Sequence, residues 1–174
     1  RFLKPDEIPG VMGALKKEVN FYVRAALFFL LLTGQRKSEV LSMKWADLDL
    51  GLGVWRIPDT KAGKPHYVPL SPPLLEMLKT LPQALDNPYV FPGRNNNHLV
   101  NISKAWNRIR KEAKIEDVRI HDLRRTVGSW LASSGASLPL IGKTLGHTQP
   151  QTTAVYARFD IEPVRRALNE YSEN

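Results

Sequence analysis

The chain has 174 residues, enough for one domain with a full hydrophobic core. Lys and Arg number 25 against 17 Asp and Glu, a net charge of +8, which favours a polyanionic partner such as DNA, RNA or an anionic surface. There is no cysteine, so disulfide frameworks and thiolate metal sites are excluded.

Taken in chain order, the segment Arg1-Phe2-Leu3-Lys4-Pro5 carries neither an initiator Met nor a secretory leader. The expectation is a domain, residues 1–174, cut from a longer protein. Asp6 to Glu18 reads as a helix, and Asn20 to Thr33 as a second one with Gly34 as its C-cap. The apolar stretch Ala25 to Leu32 in that helix is far short of the roughly 20 residues that span a bilayer, so it reads as core. Arg36 to Met43 begins a short helix that puts Arg36 and Glu39 on one face.

The pattern then changes. Asp47 to Leu50, Val54 to Pro58 and Tyr67 to Leu70 read as three short strands, with the polar loop Asp59 to Lys64 between the last two. Ser71-Pro72 reads as a helix start, and Asn87 to Asn97 as a loop. Leu99 to Lys114 carries Ile102, Ala105, Trp106, Ile109 and Ala113 at helical spacing. Further helices are expected over His121 to Ser134, Leu138 to Leu145 and Pro150 to Phe159. A tail helix from about Glu162 to Tyr171 ends the pattern. The fold class is mainly α with a small antiparallel β-sheet (α+β).

Several polar residues suggest phosphate chemistry. Cleaving a phosphodiester requires a nucleophile, neutralisation of the non-bridging oxygens and a proton for the departing alkoxide. The acidic residues are scattered, so no carboxylate cluster for Mg²⁺ is expected, and no metal or other cofactor. Arg36 offers a planar fork that matches phosphate oxygens, although alone it reads sooner as a surface ion pair with Glu39. His121 and Arg124 share a face at the start of a helix, where anions are favoured. His147 follows Leu145-Gly146 in a turn, where a histidine is more often a cap than a ligand. Tyr156 lies nine residues after His147. A phenol with a pKa near 10 needs its proton removed to attack. Tyr22 and Tyr67, with apolar neighbours, read as core. Lys61 sits at the hairpin tip as a candidate acid, with Lys64 as its competitor. Arg125 reads as a backbone or salt-bridge residue on another face.

The ordered set Thr-Gly-Gln-Arg-Lys-Ser-Glu (Thr33 to Glu39), Thr-Lys-Ala-Gly-Lys-Pro-His-Tyr-Val-Pro-Leu (Thr60 to Leu70), His-Asp-Leu-Arg-Arg-Thr (His121 to Thr126), Leu-Gly-His and Tyr156 resembles the catalytic domain of the tyrosine recombinases, the phage and prophage integrase family. The resemblance covers nearly the whole chain. It implies the DNA breaking–rejoining fold shared with type IB topoisomerases. It also implies roles: Arg36 and Arg124 as phosphate clamps, Glu39 as support for Arg36, Lys61 as acid on the 5′ oxygen, and His121 as proton acceptor or phosphate contact. His147 would hydrogen-bond the scissile phosphate, and Tyr156 would be the nucleophile. The implied reaction is metal-free DNA strand cleavage and rejoining through a 3′-phosphotyrosyl bond, for integration or excision of a phage or mobile element.

The implied partners are double-stranded DNA attachment sites, other protomers in a tetramer on DNA, and accessory DNA-bending or directionality proteins, with no membrane. The implied location is the bacterial cytoplasm, at the nucleoid. By the resemblance, an N-terminal core-binding domain and any arm-binding domain are expected outside residues 1–174. The tail residues Ile161, Val164, Leu168 and Tyr171 form an apolar stripe suited to docking in cis or in trans. The competing readings are a type IB topoisomerase, a non-catalytic DNA-binding remnant and, more remotely, a metal-dependent nuclease.

Overall fold

In the computed structural model, residues 1–60 and 62–157 are described. A 3-10 turn at Pro5–Glu7 leads into α1 (Ile8–Lys16), followed by α2 (Phe21–Thr33) and α3 (Lys37–Leu41). Three strands follow, β1 (Leu48–Asp49), β2 (Val54–Ile57) and β3 (His66–Pro69), then α4 (Pro72–Thr80) and α5 (Ser103–Glu112). The last described elements are α6 (Ile120–Ser133), α7 (Leu138–Leu145) and α8 (Pro150–Ala154). No described helix is long and apolar enough to cross a membrane.

The central element is α2. Its sequence is apolar almost all round, as expected of a helix surrounded by protein, and it packs against α1, α3, α4 and α6. Phe29 in its middle meets Trp55 of β2 and Phe91 edge-on, with ring centroids 6.1 and 6.0 Å apart. Those contacts seat the sheet and the Asn-rich loop on the helical core. Asn20 caps the helix start by accepting from the Val23 N–H. Gly34 ends it in the left-handed conformation, with φ 64°. A side chain at Gly34 would also meet Leu145 and Val127, so the helix ends in a narrow gap between α6 and α7.

The sheet is antiparallel in the order β1-β2-β3, with Leu48 opposite Trp55 and Trp55 opposite Val68. Trp55, Ile57 and Val68 point into the core, and Arg56 and Tyr67 point out. This corrects the core reading of Tyr67, which is 58% exposed. Strand alternation, not the apolar character of its neighbours, decides its side. Tyr22 is half-buried and donates its hydroxyl to the Pro82 carbonyl.

Two helix boundaries also differ from expectation. Over Leu99 to Lys114 only Ser103–Glu112 is helical. The Leu99 N–H is held by the Phe91 carbonyl, and Asn101 Oδ1 accepts from the Ser103 N–H, so a turn precedes the helix. The helix expected over Pro150 to Phe159 ends at Ala154, leaving Tyr156 in the turn after it. Phe159 and the expected tail helix lie outside the described residues.

Candidate active site

The site forms where the ends of α2, α6 and α7 converge, and the last turn of α7 organises it. A helix leaves its final carbonyls without partners inside the helix. Here the carbonyls of Thr144 and Leu145 are taken by side chains from three separate segments. Gln35 Nε2 donates to the Thr144 carbonyl at 2.9 Å, and His66 Nε2 lies 3.2 Å from the same oxygen. Arg124 donates through Nη2 to the Leu145 carbonyl at 2.6 Å and through Nη1 to the Gly34 carbonyl at 2.8 Å. These cationic and polar donors also suit the negative end of the helix. The segment around Arg36, the hairpin, the His-Asp-Leu-Arg helix and the Leu-Gly-His turn are thereby tied together.

Arg36 is the N-cap residue of α3 and is half-buried. Its guanidinium pairs with Glu39 Oε1 at 3.1 Å, while Glu39 Oε2 accepts the Arg36 backbone N–H. Glu39 therefore holds Arg36 through both its backbone and its guanidinium. Arg124 is buried, and burial followed by the nearby Arg36 charge lowers its pKa to about 10. It stays protonated at neutral pH, but two guanidinium groups are held together with one carboxylate between them. That local excess of positive charge is what an anion would relieve.

A cleft of about 420 Å³ opens over these groups, and Arg36, His121, Arg124, Arg125, His147 and Tyr156 all line it. Arg125 also makes the expected salt bridge, to Asp122 at 3.5 Å. His121 lies in the first turn of α6, and burial, with Arg125 and Arg124 beside it, lowers its pKa. His147 follows Gly146, the left-handed C-cap of α7, and burial with Arg124 and Arg36 nearby pushes it down to about 4. Both imidazoles are therefore neutral at pH 7. Tyr156 is 5% exposed, and burial raises its pKa, against the pull of Arg124 and Arg125. The arrangement is an anion-binding cleft with a protonated phenol and two neutral imidazoles on its wall. Five of the six expected catalytic residues, Arg36, His121, Arg124, His147 and Tyr156, meet there. The sixth, Lys61, lies outside the described residues.

The chain as a whole is similar to known proteins. A model of the phage integrase family matches residues 1–162. The chain belongs to the phage integrase family. A tyrosine recombinase of Thermosipho africanus is 29% identical over 159 residues, covering 89% of this chain and 56% of that protein. This integrase-family chain thus spans a little over half the length of that relative. The XerH site-specific recombinase bound to difH substrate superposes with a TM-score of 0.77 at 23% identity, covering 90% of this chain and 49% of the other. The catalytic domain of bacteriophage HP1 integrase gives 0.74 at 21% identity, covering 97% and 93%. At these identities the structural matches establish the fold, which is that of recombinase catalytic domains.

The integrase-family site includes residues that the sequence reading passed over. His66 sits in β3 with its ring against Gly146, and burial lowers its pKa. Gln35 was read as part of a motif and given no task. Thr153 Oγ1 lies 2.7 Å from His147 Nδ1. Gly128, a glycine in mid-helix, faces the Tyr156 ring, and a glycine inside a helical pattern is the one sequence signal that could have flagged it. Among the described residues there is no cluster of three or more His, Cys, Asp or Glu placed to hold a metal ion.

Proposed function

We propose that this chain is the catalytic domain of a tyrosine-type site-specific DNA recombinase and that it cuts and rejoins DNA for integration or excision of a mobile element. The observation that carries the reading is the cleft itself, where Arg36, Arg124 and Arg125, two neutral histidines and a buried tyrosine line one space of about 420 Å³. Tyr156 attacks the scissile phosphorus, so a bond from its oxygen to phosphorus forms and the bond to the 5′ oxygen breaks. Neutral His121 takes the phenol proton, and Lys61 delivers a proton to the departing 5′ oxygen. Arg36 and Arg124 neutralise the non-bridging oxygens as the five-coordinate state forms, and His147 donates to one of them. The reverse attack by a 5′ hydroxyl of a partner duplex rejoins the strand and restores the phenol. The phosphotyrosyl bond conserves the phosphodiester energy, and these cationic groups carry out the charge neutralisation.

Double-stranded attachment sites are the substrates, and other copies of the protein are the partners, with a tetramer on paired sites as the working assembly. Accessory bending or directionality proteins, docking of the tail in cis or in trans and a cytoplasmic, nucleoid-bound location complete the proposal. Domains beyond the catalytic one are expected to supply most of the DNA grip. Base recognition is thus expected to depend on them.

The test is trapping on a nicked suicide duplex in the presence of EDTA, resolved on denaturing gels. A protein–DNA band that Tyr156→Phe abolishes establishes tyrosine-mediated cleavage without a metal. A band that survives that change places the nucleophile elsewhere, and its absence from the longest natural chain carrying these residues refutes the catalytic reading.

A further inference from the structure

A neutral imidazole can present either a proton or a lone pair to an anion, and only the proton is useful beside a phosphate. Which one His147 presents is decided by what its other nitrogen does. His147 Nδ1 lies 2.7 Å from Thr153 Oγ1, so Nε2 is the nitrogen left for a ligand in the cleft. A threonine in a helix commonly turns its hydroxyl to the carbonyl four residues back. For Thr153 that carbonyl is Gln149, which accepts the Thr152 N–H at 3.1 Å, and the Thr153 hydroxyl lies instead against His147 Nδ1. The imidazole is the acceptor within reach.

Thr153 is also held where it stands. It is 4% exposed, so water does not compete for its hydroxyl. Its Oγ1 would lie 2.8 Å from a Cβ at Gly142, so α7 passes it without room for a side chain. The Gly142 carbonyl accepts the His147 N–H at 2.8 Å, and the Thr153 carbonyl accepts the Tyr156 N–H at 3.0 Å. One threonine thus touches the histidine turn through its side chain and the tyrosine turn through its backbone.

We propose that Thr153 is a positioning residue that donates its hydroxyl proton to His147 Nδ1, fixing the imidazole with its proton on Nε2, aimed at a non-bridging phosphate oxygen. The proposal rests on the recombinase reading for its consequence in catalysis, but the proton's location is a property of the free protein. Without the hydroxyl, the ring is free to place its proton on Nδ1 and turn a lone pair toward the anion, which repels it.

The test combines spectroscopy with kinetics on the longest natural chain carrying these residues. Long-range ¹H–¹⁵N spectra of the histidine rings at pH 7 should show His147 protonated at Nε2 in the wild type and in Thr153→Ser. In Thr153→Val, which keeps the shape and loses the hydroxyl, the Nδ1-protonated form should appear. Single-turnover adduct formation should slow about 10- to 100-fold in Thr153→Val, below the roughly 10²–10³-fold cost of deleting an anion-stabilising donor outright. It should stay near wild type in Thr153→Ser, with DNA affinity unchanged in both. In a His147→Ala background, Thr153→Val should add no further loss. Protonation of wild-type His147 at Nδ1 overturns the proposal, and so does an equal loss in both backgrounds. If the wild type forms no adduct at all, the recombinase reading fails while the spectra still decide the tautomer.

Discussion

The ring of Tyr156 rests directly on Gly128 of α6: a Cβ at that glycine would stand 2.3 Å from the tyrosine Cζ and 2.7 Å from its hydroxyl oxygen. Gly128 is buried mid-helix with an ordinary backbone, so alanine there would by itself raise helix propensity. The nearest obstacle is the tyrosine. Gly128→Ala should therefore leave a folded, DNA-binding protein whose nucleophile is displaced. A displacement near 1 Å costs about 10²-fold in a reaction that depends on alignment. Adduct yield should fall by at least that factor, while circular dichroism and DNA affinity stay close to wild type. Undiminished adduct formation would mean that the tyrosine leaves this seat before it reacts.

The two clamp arginines should separate by stability. Arg124 is buried and bonds the Gly34 and Leu145 carbonyls, so Arg124→Lys leaves buried acceptors unpaired although charge is kept. A loss of about 2–3 kcal/mol in unfolding free energy is expected, together with loss of cleavage. Arg36 is half-exposed, and its Glu39 partner keeps the backbone N–H whatever side chain stands at 36. Arg36→Ala should cost no more than about 1 kcal/mol of stability, while adduct formation drops roughly 10²–10³-fold. Denaturant melts run beside trapping assays measure both quantities. Equal destabilisation by the two changes would contradict the division drawn from their hydrogen bonds.

Much of this site was legible in the chain because its chemistry is carried by residues in short local patterns. Arg36 with Glu39 and His121 with Arg124 are helical neighbours whose relation needs no knowledge of the fold, and Gly34 and Gly146 mark the helix ends that place them. The contacts that sequence reasoning missed all depend on tertiary approach. Gly128 meets Tyr156 across 28 positions, and His66 meets Thr144 across 78. Thr153 lies only six residues from His147, but the turn through Gln149-Pro150 that folds one back on the other has no periodicity to read. The side taken by Tyr67 was misread because apolar neighbours were weighed above strand alternation.

The depressed histidines should make the fold sensitive to acid. His66, His121 and His147 all titrate below their ordinary value of 6.5 in the folded chain, His147 near 4, chiefly because burial disfavours the charged ring. The unfolded chain therefore binds more protons between those values, so stability is fully present above pH 6.5 and declines as pH falls toward 4. Melting temperature should drop over that window, and His147→Asn should flatten the drop. With neutral His121 as the proposed proton acceptor, the single-turnover cleavage rate should rise with pH through its lowered pKa and level off below the ordinary histidine range. An acid limb centred above 6.5 would assign it to another group.

In the proposed mechanism the hairpin lysine is expected to supply the remaining proton. Lys61 lies outside the described residues, and Lys64, its rival in the same loop, is exposed with its backbone carbonyl holding the Thr60 hydroxyl at 2.6 Å. That bond closes the loop from Thr60 to Lys64 through the backbone of Lys64. A leaving 5′ oxygen needs a proton because an alkoxide departs poorly, whereas a 5′ thiolate departs without one. Lys61→Ala should therefore lose strand cleavage on an ordinary duplex and regain most of it on a duplex with sulfur at the bridging 5′ position. Arg36→Ala should not be rescued by sulfur, since it acts on the non-bridging oxygens. Rescue of Lys64→Ala in place of Lys61→Ala would move the acid three residues along the hairpin and leave the rest of the site unchanged.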